Sequence, residues 1–245
     1  MDSVIIAGLG EVGSAIKELE DRKGSEVHVL EKDQELETGD YDVMHVCFPY
    51  TFSFVDNVKS YIRRYKPGLT IIQSTVPIGT CSQIKSKYHV VHSPVRGMHP
   101  DLTPSLLTFV KYVGGDEDSV AKALPYLAEL GMAVKPLGPS ECTEAAKILS
   151  TSYYAWNIIY ADFVEEVCKE ENLSFKKVFV DWNRTYNQGY EMLGMSHVIR
   201  PILSPPENKT IGGHCLIPNA RFLRDNTMLQ SFVKRLIMVY RGKDD

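Results

Sequence analysis

The chain has 245 residues, enough for one large domain or two small ones with a substantial core. It is 44% hydrophobic and 24% charged, with no biased tract, and its net charge of −4 argues against a broad nucleic-acid-binding face. No apolar run approaches the roughly 20 residues of a membrane helix, strand-like residues directly after Met1 leave no room for a signal peptide, and Cys47, Cys81, Cys142, Cys168 and Cys215 lack a CxxC pair, so neither a disulfide framework nor a metal is expected and the cytoplasm is the expected compartment.

Residues 4–7 read as the first strand. They run into Gly8-Leu9-Gly10-Glu11-Val12-Gly13, which has the G-x-G-x-x-G spacing. The first two glycines permit a tight turn and close approach of the backbone to a pyrophosphate, and the third lets the helix at 12–22 pack on the strand. Free N–H groups at that helix start suit the pyrophosphate. A second strand at 27–30 ends in Glu31, 18 residues after Gly13. A carboxylate there accepts bonds from ribose hydroxyls and repels a 2′-phosphate, so the unit predicts NAD over NADP, with Lys32 beside it softening the preference. Further strands at 43–48, 69–73, 89–92, 110–113 and 133–136 alternate with helices at 53–64 and 117–130, the pattern of a parallel α/β sheet.

After about residue 140 the strand pattern fades. Ala145, Leu149, Tyr153, Trp156, Tyr160, Phe163 and Val167 recur near a 3.6-residue period without Gly or Pro, which predicts one helix about 45 Å long over 141–171. The aromatics of 153–190 read as core or as a face packed on a second subunit rather than as a ligand cage. Ser174 caps a second helix bearing Phe175, Phe179, Trp182, Tyr186 and Tyr190, with Gly194 as its stop. A loop begins at Ser204-Pro205-Pro206 and a last helix covers 228–240. The expected fold is α/β: a Rossmann dinucleotide-binding domain over 1–138, then an all-helical domain with a long central helix over 139–245, for substrate binding and homodimer formation.

Three further stretches carry a resemblance. Ser74-Thr75-Val76-Pro77-Ile78-Gly79-Thr80 resembles the S-T-V-P-x-G-T turn of the UDP-glucose/GDP-mannose dehydrogenases. Glu144-Ala145-Ala146-Lys147 resembles the start of their central helix with its catalytic lysine, and Ile211-Gly212-Gly213-His214-Cys215-Leu216-Ile217-Pro218 resembles the G-G-H-C-I-P segment with its nucleophilic cysteine. Together with the glycine loop, four motifs stand in the family's order. The resemblance implies oxidation of a sugar primary alcohol to a carboxylate with two NAD, through a cysteine-bound intermediate.

On that resemblance Lys147, Thr151 and Cys215 form the expected catalytic set, with Lys147 as proton relay or oxyanion stabiliser and His214 beside the thiol. The expected cofactor contacts are Gly8, Gly10, Glu11, Val12, Gly13, Glu31, Lys32, Pro49, Ser74 and Thr75. His92, Arg96 and His99 follow a sheet strand, at the edge where open α/β sheets bind ligands; Arg96 suits an anionic substrate, and His214 is a second substrate candidate. Three positions depart from the family pattern: Thr151 replaces an asparagine, Leu216 is an insertion, and Asn219-Ala220 stand where the family has an aspartate associated with hydrolysis. The chain is also expected to lack the family's C-terminal nucleotide-sugar-binding domain. Two functions compete. One is NAD-dependent hydride transfer at an alcohol or carbonyl of a small or sugar-like substrate, with Lys147 as acid/base and Cys215 as a candidate covalent catalyst; a single step, as in the β-hydroxyacid dehydrogenases, is one variant of it. The other is a non-catalytic NAD-binding relative serving as a sensor or subunit.

Overall fold

Four consecutive apolar residues form most of β1 (Ser3–Ala7), which leads through the glycine turn into α1 (Glu11–Lys23) and back to β2 (Glu26–Leu30). Then come β3 (Val43–Val46), α2 (Phe54–Tyr65), β4 (Leu69–Ile72), α3 (Thr80–Ile84), β5 (His89–His92), α4 (Thr103–Thr108), β6 (Lys111–Val113), α5 (Glu117–Glu129) and β7 (Val134–Pro136). The long α6 (Ser140–Glu170) follows, then a π-helical stretch, Lys176–Asp181, continuous with α7 (Trp182–Met192). The last elements are β8 (Thr210–Ile211), α8 (Leu216–Arg221) and β9 (Arg241–Gly242). The computed structural model describes residues 1–32, 34–84, 87–97, 100–211, 216–223, 236 and 238–242. They fall into two compact units, Met1–Ile148 and Leu149–Asp245.

In the first unit, β1 to β5 make one parallel sheet in the order β2-β1-β3-β4-β5. The chain steps from β1 out to β2, then crosses to the other side for β3, so the connections part between β1 and β3. Pairing sets Leu30, Ala7, Val46, Ile72 and His92 in one row, and the loops after all five strands leave from the same edge. Alternating residues take opposite faces. Val4, Ile6, Ile71 and Val91 pack with Ile16 and Leu19 of α1 and Ala123 and Leu127 of α5. Ile5, Met44 and Ile72 pack with Phe54, Val58 and Ile62 of α2 and Ile84 of α3. β6 and β7 pair with each other, and one antiparallel bridge, His92 to Gly114, ties the end of β6 to β5.

Among its described residues, the second unit consists of helices, connecting loops and the two-residue parallel pair β8–β9. Its part of α6 buries Ala155, Ile158, Ile159, Ala161 and Cys168. The stripe picked out by its period faces the other way: Tyr153 is 61% exposed, Trp156 52% and Phe163 53%. Phe179 is buried, stacked on Phe175 at 5.1 Å and close to Tyr160 at 6.2 Å. Buried Asp162 accepts from Tyr240 Oη at 2.6 Å and pairs with Lys209, which also reaches Glu166 at 2.8 Å. Most of the expected helix at 228–240 lies outside the described residues, though Leu236, Met238 and Val239 are helical. No helix among the described residues is long and apolar enough to cross a membrane.

The units divide inside α6, ten residues after the boundary expected from the sequence. The reason is local: Thr143, Glu144 and Lys147, in the first turns of α6, bond to His92, to Gly79 and Cys81, and to Val95 of the sheet unit.

Candidate functional site

The glycine loop sits at the point where the connections part. Gly8 has a φ of +91°, and a Cβ on it would press on Phe48 just after β3. A Cβ on Gly13 would overlap the Gly8 carbonyl oxygen, whereas one on Gly10 would meet nothing within 4 Å. Two of the glycines are therefore required by the turn itself, and the third guards open space above the start of α1. No side chain caps that helix start, and Leu9, Gly10 and Glu11 are exposed, which leaves N–H groups directed at an incoming anion. Glu31 stands at the end of β2, its Oε1 accepting from Leu9 N at 2.7 Å. The carboxylate thus lies at the lip of the loop, beside exposed Lys32. A cradle that a Cβ would fill, a helix start with no side-chain cap and an acid at its rim fit a dinucleotide.

The turn after β4 is fastened from three sides. Ser74 Oγ donates to Phe48 O at 2.6 Å, so this buried hydroxyl ties the ends of β3 and β4 and holds the loop carrying exposed Pro49. His92 Nε2 donates to Ser74 O at 3.1 Å, which fixes the tautomer and leaves Nδ1 to accept from Thr143 Oγ1 at 2.8 Å. Burial holds His92 neutral, with its pKa pulled down to about 3. Glu144, 0% exposed, accepts from Gly79 N at 2.6 Å and Cys81 N at 2.8 Å, capping the start of α3. Two motifs more than sixty residues apart in sequence thus meet through one buried carboxylate. Half-buried Thr75 lies in the turn so held.

One turn beyond Glu144, Lys147 Nζ donates to Val95 O at 2.8 Å, at the carboxyl edge of β5. Arg96, the next residue, is exposed, with its guanidinium over the rings of Phe109 at 5.6 Å and Tyr112 at 5.7 Å. In the second unit, Asn219 Nδ2 donates to Thr151 Oγ1 at 3.4 Å. Two of the positions that depart from the family pattern are therefore in contact with each other. Gly212, Gly213, His214, Cys215 and His99 lie outside the described residues.

A polar network absent from the sequence reading underlies this edge. Lys111, 3% exposed on β6, donates to Gln73 Oε1 at 2.6 Å and Ser93 O at 2.7 Å. With its oxygen so engaged, the Gln73 amide donates from Nε2 to His45 Nδ1 at 3.0 Å, and His45 Nε2 donates to Glu20 Oε1 at 2.9 Å. Glu20 also accepts from Tyr126 Oη and Ser25 Oγ. Burial pushes its carboxyl up, but the bonds from His45, Tyr126 and Ser25 outweigh it, and the pKa lies below the usual value. The signal in the sequence was a polar residue inside each of two apolar strands, His45 and Lys111.

No family model and no curated protein matches the chain. Solved structures do. A UDP-D-ManNAc dehydrogenase from Pyrococcus horikoshii superposes with a TM-score of 0.76 at 15% identity, over 96% of this chain and 68% of that one. The fold is that of the UDP-sugar dehydrogenases. A UDP-glucose dehydrogenase from Pyrobaculum islandicum gives 0.68 at 16% identity, over 98% of this chain and 68% of that one. The same fold reaches a shorter enzyme, the 3-hydroxyisobutyrate dehydrogenase of Mycobacterium tuberculosis, with a TM-score of 0.68 at 16% identity over 94% and 88% of the two chains. At these identities the likeness is one of fold.

Proposed function

We propose that the chain is an NAD-dependent oxidoreductase that transfers one hydride between a CH–OH carbon of a small or sugar-like substrate and nicotinamide. The observation that carries this is the convergence, on one edge of the sheet, of the glycine loop with Glu31 and of Lys147 on Val95 O. Gly8, Gly10 and Gly13 with the start of α1 would hold the pyrophosphate, and Glu31 the adenosine ribose. Bound NAD supplies the hydride acceptor. Lys147 handles the other half of the balance: as the C–H hydride leaves, the O–H proton passes to its amine, and in the reverse direction its ammonium returns that proton to the alkoxide.

The neighbours named for UDP-sugars and for 3-hydroxyisobutyrate support an alcohol or carbonyl substrate. The Thr151–Asn219 contact favours a single step, since no carboxylate stands at residue 219 to assist thioester hydrolysis. It also supports the second reading, a non-catalytic NAD-binding relative. A homodimer through the exposed stripe of α6 and a cytoplasmic location complete the proposal. The test is to count NADH formed per substrate consumed across alcohols and sugar nucleotides, and in reverse with aldehydes and ketones. One equivalent is expected, abolished in Lys147→Ala and little changed in Cys215→Ser. Two equivalents with a uronic acid product would contradict the single step, and no turnover on any of them would favour the second reading.

A further inference from the structure

Two lysines grip one short segment of backbone. Lys111 reaches it from β6, donating to the carbonyl of Ser93, and Lys147 reaches it from α6, donating to the carbonyl of Val95, two residues on. Lys111 is the deeper of the two: it is 3% exposed, whereas Lys147 is half-buried. Gln73 Oε1 and Ser93 O, which accept from it, are neutral, and the carboxylate of its network, Glu20, is reached through Gln73 and His45.

We propose that Lys111 is a positioning residue for Lys147: it sets the 93–95 segment on which Lys147 rests, and of the two like charges it is Lys111 that gives up its proton. The proton that remains on the pair is then the one that Lys147 holds. This rests on the reading of Lys147 as the proton-handling group and extends it for carbonyl reduction, the direction in which a protonated Lys147 donates toward the substrate oxygen; in alcohol oxidation Lys147 must first lose that proton.

The surroundings favour this order. Among the described residues the titratable groups acting on Lys111 are Cys47 after β3, His92 on β5 and Lys147 on α6. Burial pushes the Cys47 thiol up to about 12 and pulls His92 down to about 3, so neither supplies charge near neutrality. On Lys147's own helix, the Glu144 carboxylate is engaged by Gly79 N and Cys81 N. Desolvation by burial brings Lys111 down to about 7; Cys47 opposes the shift and the Lys147 charge adds to it as the smallest of the three causes. Two like charges at one site titrate as a pair, and the first proton lost comes from the group that water serves least.

The wild type and three variants of the full chain test the idea. Lys111→Met copies the deprotonated state and Lys111→Arg fixes the charge, since a guanidinium keeps its proton at every working pH. With lysines carrying carbon-13 at Cε, the Lys147 resonance, identified by its loss in Lys147→Met, is followed by NMR from pH 5.5 to 11. In the wild type it should show an inflection near pH 7 from its neighbour, then its own titration at higher pH. The inflection should vanish in both Lys111 variants, and in Lys111→Arg the Lys147 titration itself should move down by about one unit. A Lys147 resonance with no inflection near neutrality in the wild type, or one unchanged in Lys111→Met, overturns the proposal. The readout needs no substrate, so it stands apart from the test for turnover. If turnover is found, its rate in the direction of carbonyl reduction should lose an ionisation near pH 7 in Lys111→Met, and persistence of that ionisation would count against the proposal.

Discussion

Glu31 has two tasks that a single substitution can separate. Its Oε1 holds the Leu9 N–H and so shapes the glycine loop, while its charge faces the place where an adenosine ribose would lie. Glu31→Gln keeps an oxygen for Leu9 and removes the charge. Thermal stability should fall little, whereas the preference for NAD over NADP, measured as a ratio of dissociation constants, should shrink about tenfold. A ratio unchanged in Glu31→Gln would remove Glu31 from the ribose site. The glycine spacing and this acid were legible in the sequence because each answers a local demand, of the turn or of the strand end. Lys111 was not: a lysine in a short apolar strand reads as an edge residue until Gln73 and Ser93, 38 and 18 residues away in sequence, are seen to receive it.

Among the elements, the sheet strands and the long helix followed from their periods, with limits shifted by one or two residues. The strand expected over 43–48 ends at Val46, where the chain turns away into the loop beside Gly8. α3 and α4 escaped notice because five- and six-residue helices carry no period, and α3 depends on a cap from a distant element. Glu144 is that cap. Glu144→Ala would leave two backbone N–H groups without their acceptor in a buried place and should cost about 2–4 kcal/mol in chemical denaturation. A cost under half a kcal/mol would show that the two motifs are not joined through it. The period of α6 was legible, but the direction of its aromatic stripe was not, since core and subunit face have the same spacing. Leu149, Tyr153, Trp156, Tyr160 and Phe163 are exposed in the single chain, and a two-fold pairing would bury them. Sedimentation at micromolar concentration should give a dimer, and the double variant Trp156→Glu, Phe163→Glu a folded monomer; a wild-type monomer would contradict the pairing.

On the scale of the whole molecule, the buried network gives stability a pH signature. Lys111 titrates near 7 in the folded chain against 10.5 ordinarily. Between those values the unfolded chain holds a proton that the folded chain lacks, so this group makes stability rise with pH across that window and adds no slope below it. Urea unfolding at pH 6.5 and pH 9 should show wild type gaining on Lys111→Met at the higher pH, and equal differences at both would contradict the shift. Every role proposed for the sheet edge depends on dinucleotide binding at the glycine loop. Calorimetric titration of NAD into the intact protein, beside Gly10→Val, tests it most directly. The space above Gly10 is open, so the variant should fold as stably as the wild type and yet lose the cofactor. Saturable one-site binding by the wild type, abolished in Gly10→Val, is the predicted result; no NAD binding by the intact chain, or equal binding by both, would contradict it.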